Sequence, residues 1–279
     1  MKILISNDDG YQAKGLYALA RIMSGFGDVT VISPKRHQSA MSMSVSLGLK
    51  KLAFKELPEM GPGRWAYLNA TPVSCVKFGL EFFYENRDPD LFVSGINHGT
   101  NASMGANYSA TLGCAEEGAL NGIRSVGVSV CDFSPDADFS AVEAWFPGIL
   151  RTLLDHWPDR FGVYYNVNFP ALPASEIKGV RIARQGRGHW IREFEPWEEE
   201  IQEETFFLRK EDGPLEEGER AFRMKGAFVN DDADPETADH LLNDAGWITV
   251  VPFCVDLTDR EEYGRMRREG LFSGQTANL

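Results

Sequence analysis

Two adjacent carboxylates, Asp8 and Asp9, stand in the run Asn7-Asp8-Asp9-Gly10 near the start of the chain. Neighbouring acids repel, so if both face one crevice a pKa rises unless a cation compensates. Oxygen ligands of this hardness suit Mg²⁺ or Mn²⁺, with water, amide or hydroxyl oxygens completing the shell. The same four residues are strong turn formers, and taken alone the run favours a turn. A second run shifts the balance. Ser94-Gly95-Ile96-Asn97-His98-Gly99-Thr100-Asn101 leads on to Asn107-Tyr108-Ser109-Ala110-Thr111, which opens a helix. A polar, glycine-containing loop feeding a helix N-terminus offers backbone N–H groups and the positive end of the dipole, a cradle for phosphate. Ser109 and Thr111 add hydroxyl donors. A third run, Ser33-Pro34-Lys35-Arg36-His37-Gln38-Ser39-Ala40-Met41-Ser42, brings more hydroxyls, and Lys35 or Arg36 would offset anionic charge. His98 is read as lining the crevice rather than as a proton donor to the leaving group.

These runs meet only if the elements before them are neighbours. Lys2 to Ser6 is a short apolar run, the mark of a buried central strand. Leu16, Leu19, Ala20 and Met23 recur at helical spacing, and Val29 to Ile32 reads as a second strand. The crossover is too long for a hairpin, so the pair is parallel. Thr71-Pro72 reads as a helix start, with Val73, Val76, Leu80 and Phe83 as its apolar stripe. Leu91 to Ser94 is the next strand. Thr111 to Leu120 is a helix stopped by Asn121-Gly122, and Ser125 to Val130 a further strand. Trp145 to Trp157 reads as helix despite Pro147, Val163 to Phe169 as strand, and Ile248 to Phe253 as a returning strand. The fold class expected is α/β, a Rossmann-like, doubly wound, mostly parallel sheet. Its ligand belongs in the crevice beyond the carboxyl ends of the strands, where all three runs fall.

From about residue 186 the pattern changes. The stretch to about 230 is rich in glutamate and holds short strand-like runs such as Thr205 to Leu208, which reads as a protruding β-hairpin arm. The domain plan is a catalytic core over 1–185, completed by a strand near 246–253, then the arm over 186–230 and a charged helical tail over 254–279.

Composition narrows the function. The 279 residues are 43% hydrophobic and 25% charged, ordinary usage for a globular protein. A net charge of −13 without a segregated basic run argues against a nucleic-acid polymer as partner. No apolar run reaches the roughly 18 residues of a membrane helix, and the start turns acidic too soon for a signal peptide. The four cysteines, Cys75, Cys114, Cys131 and Cys254, show no metal-ligand spacing and read as reduced thiols. A cytoplasmic location is expected. No GxGxxG follows the first strand and no GxxxxGK[ST] occurs anywhere, which argues against a dinucleotide enzyme and a P-loop NTPase. Contiguous Asp8 and Asp9 also lack the one-residue gap of a phosphoaspartyl phosphatase.

Taken in order, these runs resemble the SurE family, stationary-phase survival proteins with 5′-nucleotidase activity. The resemblance rests on Ile3 to Gly10, Ala13 to Leu16, Ser33-Pro34 with Ser39 to Ser42, Ala70 to Val76 and Pro89 to Gly118. It continues through Asn166 to Pro170, Gly246 to Pro252 and Asp256 to Thr258. It implies hydrolysis of nucleoside 5′-monophosphates, with Asp8 and Asp9 catalytic and a cation activating the attacking water in preference to an aspartyl-phosphate route. One divalent cation per subunit, Mg²⁺ or Mn²⁺, is implied on Asp8, Asp9, Ser39 and Asn97, and phosphate contacts on Asn101, Ser109 and Thr111. A homodimer or homotetramer is implied, with the arm used for assembly and the tail exchanged between subunits. The chain departs from the family pattern at Ala40, Ala70 and Ala110, where glycine is usual, and at Lys14, Ser74 and Met104-Gly105. Ala110, between two phosphate-loop hydroxyls, is expected to narrow the pocket or to disturb a backbone of positive φ. The alternatives are a catalytically weakened nucleotide-binding or regulatory module and a broad phosphatase or exopolyphosphatase.

Overall fold

Ile3, Leu4 and Ile5 are all without exposed surface, so β1 (Lys2–Ser6) is covered on both faces, as its apolar run requires. The computed structural model describes residues 1–48, 51–197 and 215–271. After β1 come α1 (Lys14–Met23), β2 (Asp28–Pro34), β3 (Phe54–Glu56), β4 (Arg64–Leu68) and α2 (Pro72–Phe83). Next are β5 (Leu91–His98), a 3₁₀ turn over Ser103–Tyr108, α3 (Ala110–Leu120), β6 (Ser125–Val130), α4 (Ser140–Asp155) and β7 (Val163–Phe169). The chain continues through β8 (Val180–Ile182), β9 (Gly188–Ile191), β10 (Phe194–Pro196), β11 (Phe222–Met224) and β12 (Ala227–Asn230). It closes with α5 (Asp239–Asp244), β13 (Ile248–Cys254) and α6 (Arg260–Arg268).

Nine strands form the central sheet in the order β3-β4-β2-β1-β5-β6-β7-β13-β8. The six from β4 to β7 run parallel, while β3 and β13 pair antiparallel with their neighbours β4 and β7. From β1 the chain winds outward through β2 to β4, then returns to the other side of β1 with β5, β6 and β7. The direction therefore reverses between β1 and β5, and a doubly wound sheet opens its ligand crevice at that point. Alternation along β1 serves both faces: Ile3 and Ile5 pack with Leu16, Leu19 and Phe146 of α1 and α4. Leu4 faces the other way, with Val76 and Leu80 of α2 and Cys114 and Ala115 of α3. Burying one such leucine or isoleucine side chain is worth about 1.5–3 kcal/mol, so each face anchors the crevice edge firmly.

Several sequence expectations need correction. β5 does not stop at Ser94: it runs on to His98, with its register against β6 shifting between Ser94 and Asn97. Asn97 and His98 therefore belong to the strand, and the loop begins at Gly99. The glycine at 95 and the short polar residues disguised a strand interrupted by an irregularity. β4 was passed over because Arg64-Trp65-Ala66-Tyr67-Leu68 carries little β-branched signal, yet it forms a parallel strand beside β2. α4 begins at Ser140, five residues before the expected start. Thr71 precedes α2 without a capping bond from its side chain. Its hydroxyl lies 2.9 Å from that of Ser74, which accepts the Ser46 N–H at 2.7 Å.

Beyond β8 the chain forms two antiparallel pairs, β9 with β12 and β10 with β11. The expected strand-like run at Thr205 to Leu208 lies outside the described residues, as does the end of the tail from residue 272. Asp259 caps α6 by accepting the Glu262 N–H, and no residue of α6 is buried. The four cysteines are free. Among the described residues no helix is long and apolar enough to cross a membrane.

Candidate active site

The strands of the sheet turn polar as they reach the crevice edge. Ser6, Ser33, Ser94, Asn97, Ser129 and Asn168 all lie buried there. The Asn7-to-Gly10 run leaves β1 as the expected turn: Asn7 Nδ2 donates to the Gly10 carbonyl at 3.1 Å and Asn7 Oδ1 accepts the Ser33 hydroxyl at 2.5 Å. Gly10 holds φ at +96°, a conformation that an L side chain rarely adopts, and the backbone of Arg36 and His37 lies directly over it. The turn and the carboxylate pair are thus one feature, with the turn directing the two acids.

Asp8 and Asp9 are only 3% and 6% exposed. Asp8 Oδ1 accepts the Thr111 hydroxyl at 2.6 Å, which joins the carboxylate to the first turn of α3. Asp9 Oδ2 lies 3.4 Å from the His98 N–H at the end of β5, and Asp9 Oδ1 lies 3.4 Å from His37 Nδ1. Among the described residues Asp9 Oδ1 has no hydrogen-bond partner. Burial first, and then the charge of Asp9, push Asp8 up to about 7. Burial likewise lifts Asp9 to about 6. Two buried acids held this close want a positive charge beside them, and one has an oxygen still open.

Asn97 is 7% exposed and commits its Nδ2 to the Gly99 carbonyl at 2.8 Å. That leaves its carboxamide oxygen as the atom it has to offer. Ser39 is carried by a loop fixed at both ends: the Gln38 N–H donates to the Asp8 carbonyl at 2.7 Å and the Ser42 N–H to the Tyr108 carbonyl at 3.1 Å. The Ser42 hydroxyl adds a bond to the Asn107 carbonyl at 3.0 Å. Gly113 of α3 permits this approach, because a Cβ there would stand 2.3 Å from the Ser42 carbonyl oxygen. Among the described residues no cluster of three or more His, Cys, Asp or Glu side chains could hold a metal ion. A cation beside Asp8 and Asp9 would therefore draw on neutral oxygens as well, the mixed oxygen set that suits Mg²⁺ or Mn²⁺.

Ser109 caps α3, its hydroxyl oxygen accepting the Leu112 N–H at 3.1 Å, so its proton remains for an outside acceptor. The first N–H groups of α3 point out of the helix end towards the same side. Asn101 is tied inward, with its Nδ2 donating to the Ser129 hydroxyl at 2.8 Å. Its backbone N–H donates to Asn168 Oδ1 and its carbonyl accepts Asn166 Nδ2, both at 2.9 Å. His98 Nδ1 lies 2.9 Å from the Ser134 carbonyl, so it is the protonated nitrogen, and the ring packs edge-on against Phe139. This anchored ring fits a residue that lines the crevice.

The glycine-to-alanine departures fall differently from expectation. Ala110 opens α3 in ordinary helical backbone and is fully buried, so the positive-φ reading does not hold there. It is Ala40, beside Ser39, that takes φ +59°. Lys14 pairs with Asp136 at the surface.

Sequence reasoning gave no role to three supports. Asn166 and Asn168 occupy alternate, fully buried positions on β7, and that polar two-residue period in an apolar strand was a readable signal. Asp239, also without exposed surface, accepts the N–H groups of Ser103, Gly186 and His240 at 2.8–3.0 Å. It pins the loop of the phosphate cradle to the root of β9, a long-range contact that no local pattern announces.

Comparison with known proteins supplies the family. The family model described as survival protein SurE matches residues 3–192. A protein of Cytophaga hutchinsonii named 5′-nucleotidase SurE is 36% identical over 271 residues, spanning 97% of each chain. One of the same name from Neisseria gonorrhoeae is 34% identical over 261 residues, 92% of this chain and 94% of its own. The crystal structure of the SurE protein from Aquifex aeolicus matches with a TM-score of 0.74 at 26% identity, covering 96% of this chain and 98% of that one. With a family model spanning more than half of its length, and relatives matched nearly end to end, this chain belongs to the SurE family.

Proposed function

We propose that this chain is a divalent-metal-dependent 5′-nucleotidase, hydrolysing nucleoside 5′-monophosphates to nucleoside and phosphate. The observation that carries the reading is the buried pair Asp8 and Asp9 at the sheet's switch point, joined to the N-terminal turn of α3 by the Thr111 hydroxyl. One Mg²⁺ or Mn²⁺ would be held by Asp8, Asp9, Ser39 and Asn97. When bound, it supplies Lewis-acid polarisation of the phosphoryl group and activation of the attacking water. The cation would favour the ionised forms of Asp8 and Asp9, which burial disfavours. Ser109, Asn101 and the open N–H groups of α3, that of Thr111 among them, would hold the phosphoryl oxygens and stabilise the charge that spreads over them during transfer, while the Thr111 hydroxyl stays on Asp8. The buried bonds from Asn166 and Asn168 fix the Asn101 backbone in advance, so little reorganisation is needed on binding.

A net charge of −13 disfavours nucleic-acid polymers and supports free nucleotides as substrates, and the cytoplasm is the location proposed. The antiparallel pairs within 186–230 and the unburied α6 within 254–279 support a homodimer or homotetramer, with the arm as contact and the tail exchanged. The test is phosphate release from AMP, GMP and p-nitrophenyl phosphate with Mg²⁺ or Mn²⁺, with and without EDTA. Release that needs metal and favours the nucleotides supports the reading. Tight AMP binding without release would replace it with a binding module, and indifference among the esters with a broad phosphatase.

A further inference from the structure

The nucleoside of a bound monophosphate must leave the phosphate cradle across the rim of the crevice, and an aromatic ring stands at that rim. Tyr108 immediately precedes Ser109, the cap of α3, and is 60% exposed. Its backbone does not share that freedom, because its carbonyl and that of Asn107 both accept bonds from Ser42. Behind it lies a succession of rings from the β9–β12 pair. Trp190 of β9 meets Tyr108 nearly perpendicularly, centroids 5.8 Å apart, and Phe228 of β12 meets Trp190 at 5.1 Å. Phe228 in turn abuts the His240 ring at 5.6 Å, next to the buried Asp239 clamp. A broad apolar ring is thus held by rigid neighbours one residue from the phosphate cradle.

Two other aromatic rings lie near the crevice. Tyr11, after Gly10, is half-buried against Tyr67 with centroids 5.0 Å apart. Phe133 lies across Gly99, where an added Cβ would fall 2.3 Å from its ring. Phe133 is also open, at 54% exposed, but Tyr108 is the ring that adjoins the α3 cap, beside the N–H groups offered to the phosphate.

Resting on the nucleotidase reading, we infer that Tyr108, backed by Trp190, is the platform on which the base of the nucleoside monophosphate stacks. Stacking of a base on an aromatic face tolerates any base, since each presents a π-face. The platform therefore sets nucleotide against base-free phosphate ester, and separates one base from another only weakly.

The experiment compares kcat/KM for AMP with that for ribose 5-phosphate in the full-length protein with Mn²⁺, for wild type, Tyr108→Ala and Tyr108→Phe. Losing one stacking contact corresponds to roughly five-fold to a hundred-fold. The AMP-to-ribose 5-phosphate ratio should fall by about that factor in Tyr108→Ala, mainly through KM, and return in Tyr108→Phe. An unchanged ratio in Tyr108→Ala overturns the inference, as does failure of phenylalanine to restore it, which would assign the effect to the hydroxyl. Equilibrium binding of AMP to wild type and Tyr108→Ala, followed by calorimetry, separates the two failures. A wild type that binds AMP through Tyr108 but releases no phosphate loses the nucleotidase reading and keeps the platform. One that neither binds nor cleaves AMP loses both.

Discussion

Asp8→Asn separates what the carboxylate costs the fold from what it gives the reaction. Burial and the charge of Asp9 hold the Asp8 carboxyl at about 7, against about 3.9 for an aspartate in water. The native state therefore keeps a proton that the unfolded chain has already released. Stability is lost as pH rises from about 4, where the unfolded group ionises, to about 7, where the folded group does, and is level above that. At pH 8 the gap between the two values corresponds to roughly 4 kcal/mol. Asparagine brings no charge to bury, and its carboxamide oxygen can still accept the Thr111 hydroxyl. In EDTA, Asp8→Asn should thus be more stable than wild type by about 2–4 kcal/mol at pH 8, and by almost nothing at pH 4. Guanidinium unfolding of both proteins across that range measures the difference. Saturating Mn²⁺ should narrow or reverse it, because a ligand at 100 times its Kd adds about 2.7 kcal/mol to the protein that binds it. A gap independent of pH, or a variant less stable at pH 8 in EDTA, would refute the reasoning.

The acid limb of kcat/KM reports protons competing with the cation for Asp8 and Asp9, so raising Mg²⁺ should move it to lower pH, and a limb indifferent to Mg²⁺ would deny the competition. Thr111→Val removes the hydroxyl bond that lowers Asp8 and should move the same limb upward at fixed Mg²⁺. Gly113→Ala forces a Cβ against the Ser42 carbonyl, which should cost about 1–3 kcal/mol in denaturant unfolding and reduce turnover by displacing the Ser39 loop. Ala40→Gly relieves a φ of +59° and should raise stability by about 0.5–1 kcal/mol, read as a higher denaturation midpoint.

How much of this was legible depended on the range of the interaction. β1, β6 and β7 follow from local apolar runs, and α3 from a run ending at Asn121-Gly122, where Gly122 takes the positive φ of a helix stop. The Asp8 and Asp9 pair was visible because residue type and position after a strand carry the chemistry, whereas Ser109 read as a hydroxyl donor and its capping of α3 came from the structure. β4 was not, since it is stabilised as a strand by pairing with β2 and by the burial of Trp65 rather than by β-branched residues. The end of β5 was hidden by a register shift that no local propensity encodes. Asp239 and the Asn101 contacts escaped for another reason: apart from the adjacent His240, their partners lie 28 to 136 residues away in sequence. The strain at Ala40 was misassigned to Ala110 because a sequence does not state φ.

Anomalous diffraction from crystals soaked in Mn²⁺ and phosphate tests the central claim most directly. One manganese peak per subunit, within coordination distance of Asp8, Asp9, Ser39 and Asn97 oxygens and bridged to a phosphate at the N-terminus of α3, is the result predicted. Saturation without a peak at those oxygens, or manganese held elsewhere with the phosphate, would contradict it.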